Sequence, residues 1–403
     1  MGELTSPERT CVEAASAEPM LMQLENWANI NSGSRNLAGL ATVGARLADA
    51  FAVLPGALAM REPAPVEAID ASGKRVEVPH GKNLHLKVRP DAPVQLLLTG
   101  HMDTVFGVEH PFQSLTWLEP GKVLGGPGVA DMKGGIAVML AALKAVEAGE
   151  GATSFGYEVI VNSDEEVGSL GSAALIADAA RGKKAALTYE PSALPDGTLA
   201  GARPGSGNFA ITIHGRSAHA GRNPEDGRNA VAAAAQLTLL FEAMRQPGLS
   251  VNPARIDGGS PTNVVPDIAI LRVNLRPATP ELQKIASAMI EEAIALVSEE
   301  REVRIELHGG FARPPKPMTA EAEALFKLVK QAGADLGQAI GWQASGGVCD
   351  GNNIAACGVP VVDTMGVRGG KIHSMEEFLI VESLKERAAL SALTILRLAG
   401  ASE

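Results

Sequence analysis

The stretch VQLLLTGHMDTVFG, residues 94–107, decides the fold. A nearly continuous apolar run from Val94 to Leu98 reaches Gly100, and His101 and Asp103 then arrive two residues apart. A strand covered on both faces carries such a run where a half-exposed strand would alternate, and strands of this kind belong to parallel sheets. Ligands of parallel sheets sit beyond the carboxyl ends of the strands. An imidazole and a carboxylate at this strand end therefore stand where chemistry is expected.

The same pattern recurs outward from this point. YEVIVNS (157–163) reads as a second buried strand, and GGIAVMLAALKAVEAG (134–149) as a helix closed by glycine. Strands alternate with helices to about residue 200, which predicts an α/β fold with a mostly parallel sheet. The rhythm then changes. NFAITIHGR, NAVAAAAQLTLLFEAMR, SVNPARIDGG, IAILRVNLRP, PELQKIASAMIEEAIALVSEE and VRIELHGG read as βαββαβ, a ferredoxin-like unit that packs two helices on one antiparallel sheet. After Pro314 the α/β rhythm returns with AEALFKLVKQAG and VPVVDTMG. The expected organisation is a catalytic domain in two parts, 1–204 and 313–403, with a domain inserted at 205–312.

The chain has 403 residues, 46% of them hydrophobic, enough for two cores. Its net charge of -11 argues against a nucleic-acid surface. Cys11, Cys349 and Cys357 are odd in number and lack finger-like spacing, so no disulfide framework is expected. The first twenty residues have neither a basic nor an apolar leader segment, which points to the cytoplasm, or to the periplasm had a leader been trimmed. No apolar run reaches membrane-spanning length. Neither nucleic acid nor membrane is expected as a partner.

Polar residues collect at the strand ends. GPGVADMKGG delivers Asp131 before a helix, NSDEEVGS delivers Glu165 and Glu166, YEPS delivers Glu190, and KIHSMEEF delivers His373. Two histidines and several carboxylates on one sheet edge would repel one another without a cation. Imidazole and carboxylate donors suit zinc or a similar divalent metal. Taken singly, each has a blander reading: a histidine at a strand end is often only a satisfied polar residue, and DEE is often a solvated turn. His85, His214 and His308 fall within strand patterns, His80 and His110 in loops, and all five read as structural. The glycines of GGPGVADMKGG do not follow dinucleotide spacing.

In these blocks, together with INSGSRNLAG, GRSAHAG, GGSPTNVVPD and GVCDGNN, the chain resembles the two-zinc amidohydrolase and peptidase family. That family includes glutamate carboxypeptidase, acetylornithine deacetylase, succinyl-diaminopimelate desuccinylase and aminoacylase. The resemblance is strongest to the glutamate carboxypeptidase branch. It implies that Asp131 bridges two Zn²⁺, with cobalt or manganese as alternatives. His101 and Glu190 would complete one site, Glu166 and His373 the other. Asp103 would orient His101, and Glu165 would be the general base for a water shared by the metals. His219, in the inserted domain, would support the oxyanion from the partner subunit of a homodimer. Asn263 and Arg276 match positions that hold a substrate carboxylate, for which a guanidinium fork is suited. Arg313 is a further candidate, and Gly346 and Gly347 would add backbone donors.

Two departures stand out. Glutamate carboxypeptidases carry a lysine shortly after the EPS loop, and ALPDGTLAG has none. Cys349 stands where Thr or Ser is usual, and nothing near it in sequence supplies a base for a nucleophilic role. The expected function is a zinc carboxypeptidase acting on a small substrate with a free carboxylate. An N-acyl-amino-acid deacylase is the alternative, and a non-catalytic binding protein on the same fold is the rival from another class.

Overall fold

The computed structural model describes residues 4–149 and 152–400. Its centre is a six-stranded sheet in the order Ala57–Arg61, Asn83–Val88, Phe155–Asn162, Val94–His101, Ala185–Thr188, Val361–Val362. Val94–His101 lies in the middle and pairs in parallel with both neighbours, and Val361–Val362 extends the parallel set. Ala57–Arg61 and Asn83–Val88 add an antiparallel edge.

The opening run behaves as its composition requires. Leu96 and Leu98 face one core, which contains Ile136, Leu140 and Leu390. Leu97 points the other way, into a core with Ile160, Ile176 and Ile354. Because alternate residues serve opposite covered faces, the strand cannot alternate in polarity. Helix Gly134–Glu147 is buried on nearly all sides, which accounts for its uniformly apolar sequence.

The inserted unit is a four-stranded antiparallel sheet in the order Leu249–Gly258, Ile268–Pro277, Ser206–His214, Arg304–Arg313. Helices Ala230–Ala243 and Pro280–Arg301 close a separate core around Ile211, Leu237, Phe241, Leu271 and Ile290. Thr279 caps the second helix by accepting from the Leu282 N–H at 3.2 Å, with Pro280 in its first turn. The last strand continues past the apolar pattern to Arg313, which carries that residue to the sheet edge of the larger domain.

A small four-stranded sheet was not legible in the sequence. Gly369–Gly370 and Phe378–Ile380 pair with each other, and the latter with Val123–Gly125. The hairpin they form presents His373 to the turn that carries Asp131. Among the described residues, no helix is long and apolar enough to cross a membrane.

Candidate active site

The acidic and imidazole groups at the site leave five separate segments, with Glu165 and Glu166 sharing one. His101 is the last residue of its strand and is buried. Asp131 sits in the Val129–Lys133 turn. The two carboxylate oxygens of Glu377 hold that turn, accepting from the Gly128, Ala130 and Asp131 N–H groups at 3.2, 3.0 and 3.1 Å. Glu165 and Glu166 begin a short helical turn after Phe155–Asn162, and Glu190 follows Ala185–Thr188. His373 adopts a left-handed backbone (φ 61°), unusual for a residue with a side chain.

These side chains meet in two triads that share Asp131. One oxygen of Asp131 lies 3.1 Å from His101 Nε2, which is 3.7 Å from Glu190. The other lies 3.3 Å from His373 Nε2, which is 3.1 Å from Glu166. Donor atoms of His101, Asp131 and Glu166 fall within 4.8 Å of one another, as do those of His101, Glu165 and Glu190. Burial, reinforced by neighbouring carboxylates, pushes Glu166 up to about 7 and Glu190 to about 8. Burial pushes Glu165 to about 8, although Arg313 pulls it down. His373 is raised to about 11 by its hydrogen bonds to Asp131 and Glu166. A pocket this crowded with acid, and containing two imidazoles, fits divalent cations.

Asp103 does more than the sequence suggested. His101 Nδ1 lies 3.0 Å from the Asp103 carbonyl oxygen and 3.4 Å from its carboxylate. That carboxylate also accepts from the Ser34 hydroxyl (2.7 Å) and from the N–H groups of Glu165 and Glu166 (3.1 and 3.2 Å). It thus ties the imidazole to the loop bearing both glutamates.

Arg313 differs from its expectation as a substrate contact. It is 3% exposed, and its guanidinium is committed to protein groups. It donates to Glu165 Oε1 at 2.6 Å and the Glu165 carbonyl at 3.0 Å, to Asp350 at 2.8 Å, and to Asn353 and Ser169 at 3.0 Å each. Glu165 is therefore gripped from behind. Although Glu165 stands within ligand distance of His101, one of its oxygens is already paired.

Two cavities flank this cluster, and Glu165, Glu166 and His373 line both. One, of about 570 Å³, has an apolar wall that includes Ala193, Pro195, Val348 and Phe378. The other, of about 640 Å³, is polar, with Asn208, Asn252, Asn274 and Arg276. Arg276 is exposed, donating to Asn274 at 3.1 Å and to the Gly346 carbonyl at 3.4 Å. Gly347 belongs to both linings. His219 and Asn263 stand apart from both cavities, on adjoining exposed loops of the inserted unit, where the Ala220 N–H meets the Asn263 carbonyl at 3.0 Å. Within the described chain they do not join the cluster. Cys349 is buried in the wall of the apolar cavity, and burial raises its thiol well above the usual range, which disfavours the thiolate. Sequence reasoning missed Arg203, which lies outside every block singled out, and passed over Ser34 and Glu377, which lie inside the INSGSRNLAG and KIHSMEEF blocks but were given no role.

Residues 97–397 match the peptidase family M20/M25/M40. The chain belongs to this family. Carboxypeptidase G2 of Pseudomonas sp. is 31% identical over 334 residues, covering 79% of this chain and 77% of its own. Among solved M20-type structures, aminopeptidase PepT of Bacillus cereus superposes with a TM-score of 0.69 at 23% identity, covering 94% of this chain and 98% of its own. A Bacillus subtilis protein described as a dinuclear metal-binding peptidase of the M20 family gives 0.64 at 15%, covering 95% and 99%. This M20 member is a metal-dependent hydrolase.

Proposed function

We propose that the protein is a two-metal amide hydrolase that releases an amino acid with a free carboxylate from a small substrate, as a carboxypeptidase does. The observation that carries this reading is the pair of triads sharing Asp131, with Glu165 beside them but held by Arg313. His101, Asp131 and Glu190 would hold one ion, and Asp131, Glu166 and His373 the other. Zinc suits the donors best, and cobalt or manganese would also be accepted. Bound metal supplies a water of lowered pKa and a polarised amide carbonyl.

Every other role falls to the chain. Glu165 takes a proton and returns it to the leaving nitrogen. Arg276, with the Gly346 and Gly347 backbone, binds the substrate carboxylate, and Asn263, which stands apart from both cavities in its own chain, joins them only from a second subunit. His219 lies away from the cluster in its own chain, so we assign it to the active site of a second subunit in a homodimer, where it donates to the oxyanion. Free Cys11 and Cys349, both buried, are in keeping with the cytoplasm.

A deacylase reading draws support from the apolar wall at Ala193 and Pro195, where no lysine follows Glu190 closely. The decisive experiment is a hydrolysis screen of metal-loaded protein on dipeptides and on benzoyl-, acetyl- and succinyl-amino acids, with Glu165→Gln as control. The variant should keep its metal and lose roughly 10²–10⁴-fold in kcat. No hydrolysis of any substrate by the wild type would return the chain to a binding role. Loss of metal from Glu165→Gln, in step with activity, would make Glu165 a ligand.

A further inference from the structure

Part of the wall that the two cavities share is the Ser345–Val348 loop, whose Gly347 and Val348 line both. Its own backbone bonds are few. The Ser345 N–H reaches the Ala202 carbonyl at 2.9 Å, and the Gly347 N–H reaches the Ser345 hydroxyl at a long 3.4 Å. Arg276 touches its outer side, at the Gly346 carbonyl. From behind, Arg203 holds it: Nη1 donates to the Gly347 carbonyl at 3.1 Å and the Ser345 hydroxyl at 3.4 Å.

Arg203 is 8% exposed, and its other edge makes a two-pronged pair with Asp363, Nε at 2.8 Å and Nη2 at 3.1 Å. Asp363 is fully buried and has a second cation, Lys316, at 2.7 Å. One carboxylate therefore meets two cations. If Arg203 served only to neutralise Asp363, Lys316 alone would suffice. What Lys316 cannot supply is a planar fork that takes a carboxylate on one edge and a loop carbonyl on the other.

We propose that Arg203 is a positioning residue for substrate binding. It uses Asp363 as its anchor and fixes the Ser345–Val348 loop, and so sets where the backbone beside Arg276 meets the substrate carboxylate. The inference rests on the amide-hydrolase reading for its kinetic consequence, but its structural half does not need turnover.

The test uses metal-loaded full-length protein and two variants. Arg203→Met leaves the Asp363–Lys316 pair intact, so no buried charge is orphaned. Arg203→Lys keeps the charge but not the fork, and stands in should the first variant fail to fold. Hydrogen exchange by mass spectrometry should show the peptide spanning 344–349 exchanging about tenfold faster, with the strands 206–214 and 268–277 unchanged. On an N-acyl-amino acid that the wild type cleaves, KM should rise about tenfold while kcat stays within about threefold, the signature of lost ground-state binding. Metal content should not change. Unchanged exchange at 344–349 overturns the proposal, as does faster exchange across the whole domain or a fall in kcat at constant KM. A wild type without hydrolytic activity would sink the amide-hydrolase reading, leaving the exchange result to judge the loop.

Discussion

Replacing Arg313 by Lys should loosen the grip on Glu165 while leaving a positive charge in place. The Arg313 guanidinium makes five contacts, to Glu165 Oε1, the Glu165 carbonyl, Asp350, Asn353 and Ser169, between 2.6 and 3.0 Å. Arg313→Lys keeps a positive charge between the two carboxylates, but an ammonium has only three donors. At least two contacts must go, each to a charged donor, for a loss of about 3–6 kcal/mol in stability. Glu165 would lose part of its grip, and a small displacement of a base costs about 10–100-fold in kcat. KM for a free-acid substrate should hardly move. Arg276→Lys should do the reverse. Arg276 is exposed and, among the described residues, bonded to Asn274 and at long range to Gly346, so stability should shift by less than about 0.5 kcal/mol. KM for the acid should rise about tenfold, and wild type and variant should converge on the methyl ester. Urea denaturation with steady-state kinetics on matched acid and ester substrates reads both. If Arg313→Lys raised KM for the acid with kcat and stability intact, Arg313 would be a substrate contact and the present assignment would fail.

Two further outcomes follow from the site. Glu165, Glu166 and Glu190 are raised from 4.5 to about 8, 7 and 8 chiefly by burial, so in metal-free protein their stabilising contribution is complete below about pH 4.5 and lost as pH rises through 7–8. The Tm of chelated protein should fall between about pH 5 and 8 and that of reloaded protein should be flatter; parallel profiles would show that cations do not neutralise these groups. His219→Ala and Glu165→Gln, each inactive alone, should regain about a quarter of wild-type sites when their subunits exchange at random, because each mixed dimer holds one intact site; activity staying at the parental average, with exchange verified by mass tagging, would place His219 in its own chain's site.

Much of this architecture was legible because burial writes itself into composition. Leu96, Leu97 and Leu98 serve two opposed cores, and only a covered parallel strand needs such a run. The βαββαβ unit was readable from its change of period. His101, Asp131, Glu166, Glu190 and His373 stood out as candidates because each lies in a quoted motif, and the structure brings them close together. The pairing of Arg313 was hidden because its sequence neighbourhood says nothing of Asp350, 37 residues on, or of Glu165, 148 residues back. Arg203 was missed for the same reason: its partner Asp363 lies 160 positions away. Long-range pairings of single charged side chains leave no local pattern. The hairpin that presents His373 was also hidden, since its strands are two and three residues long and carry no periodicity.

The proposed function stands on one shared carboxylate, that of Asp131, organising two metal sites. It is tested most directly by counting metal per chain, by elemental analysis after reconstitution and desalting, in wild type, Asp131→Ala and Glu166→Ala. Two ions are expected in wild type, nearly none in Asp131→Ala, which loses the bridge, and about one in Glu166→Ala, where His101, Asp131 and Glu190 remain. A wild type that never holds more than one tightly bound ion, or an Asp131→Ala variant that still holds one, would contradict it.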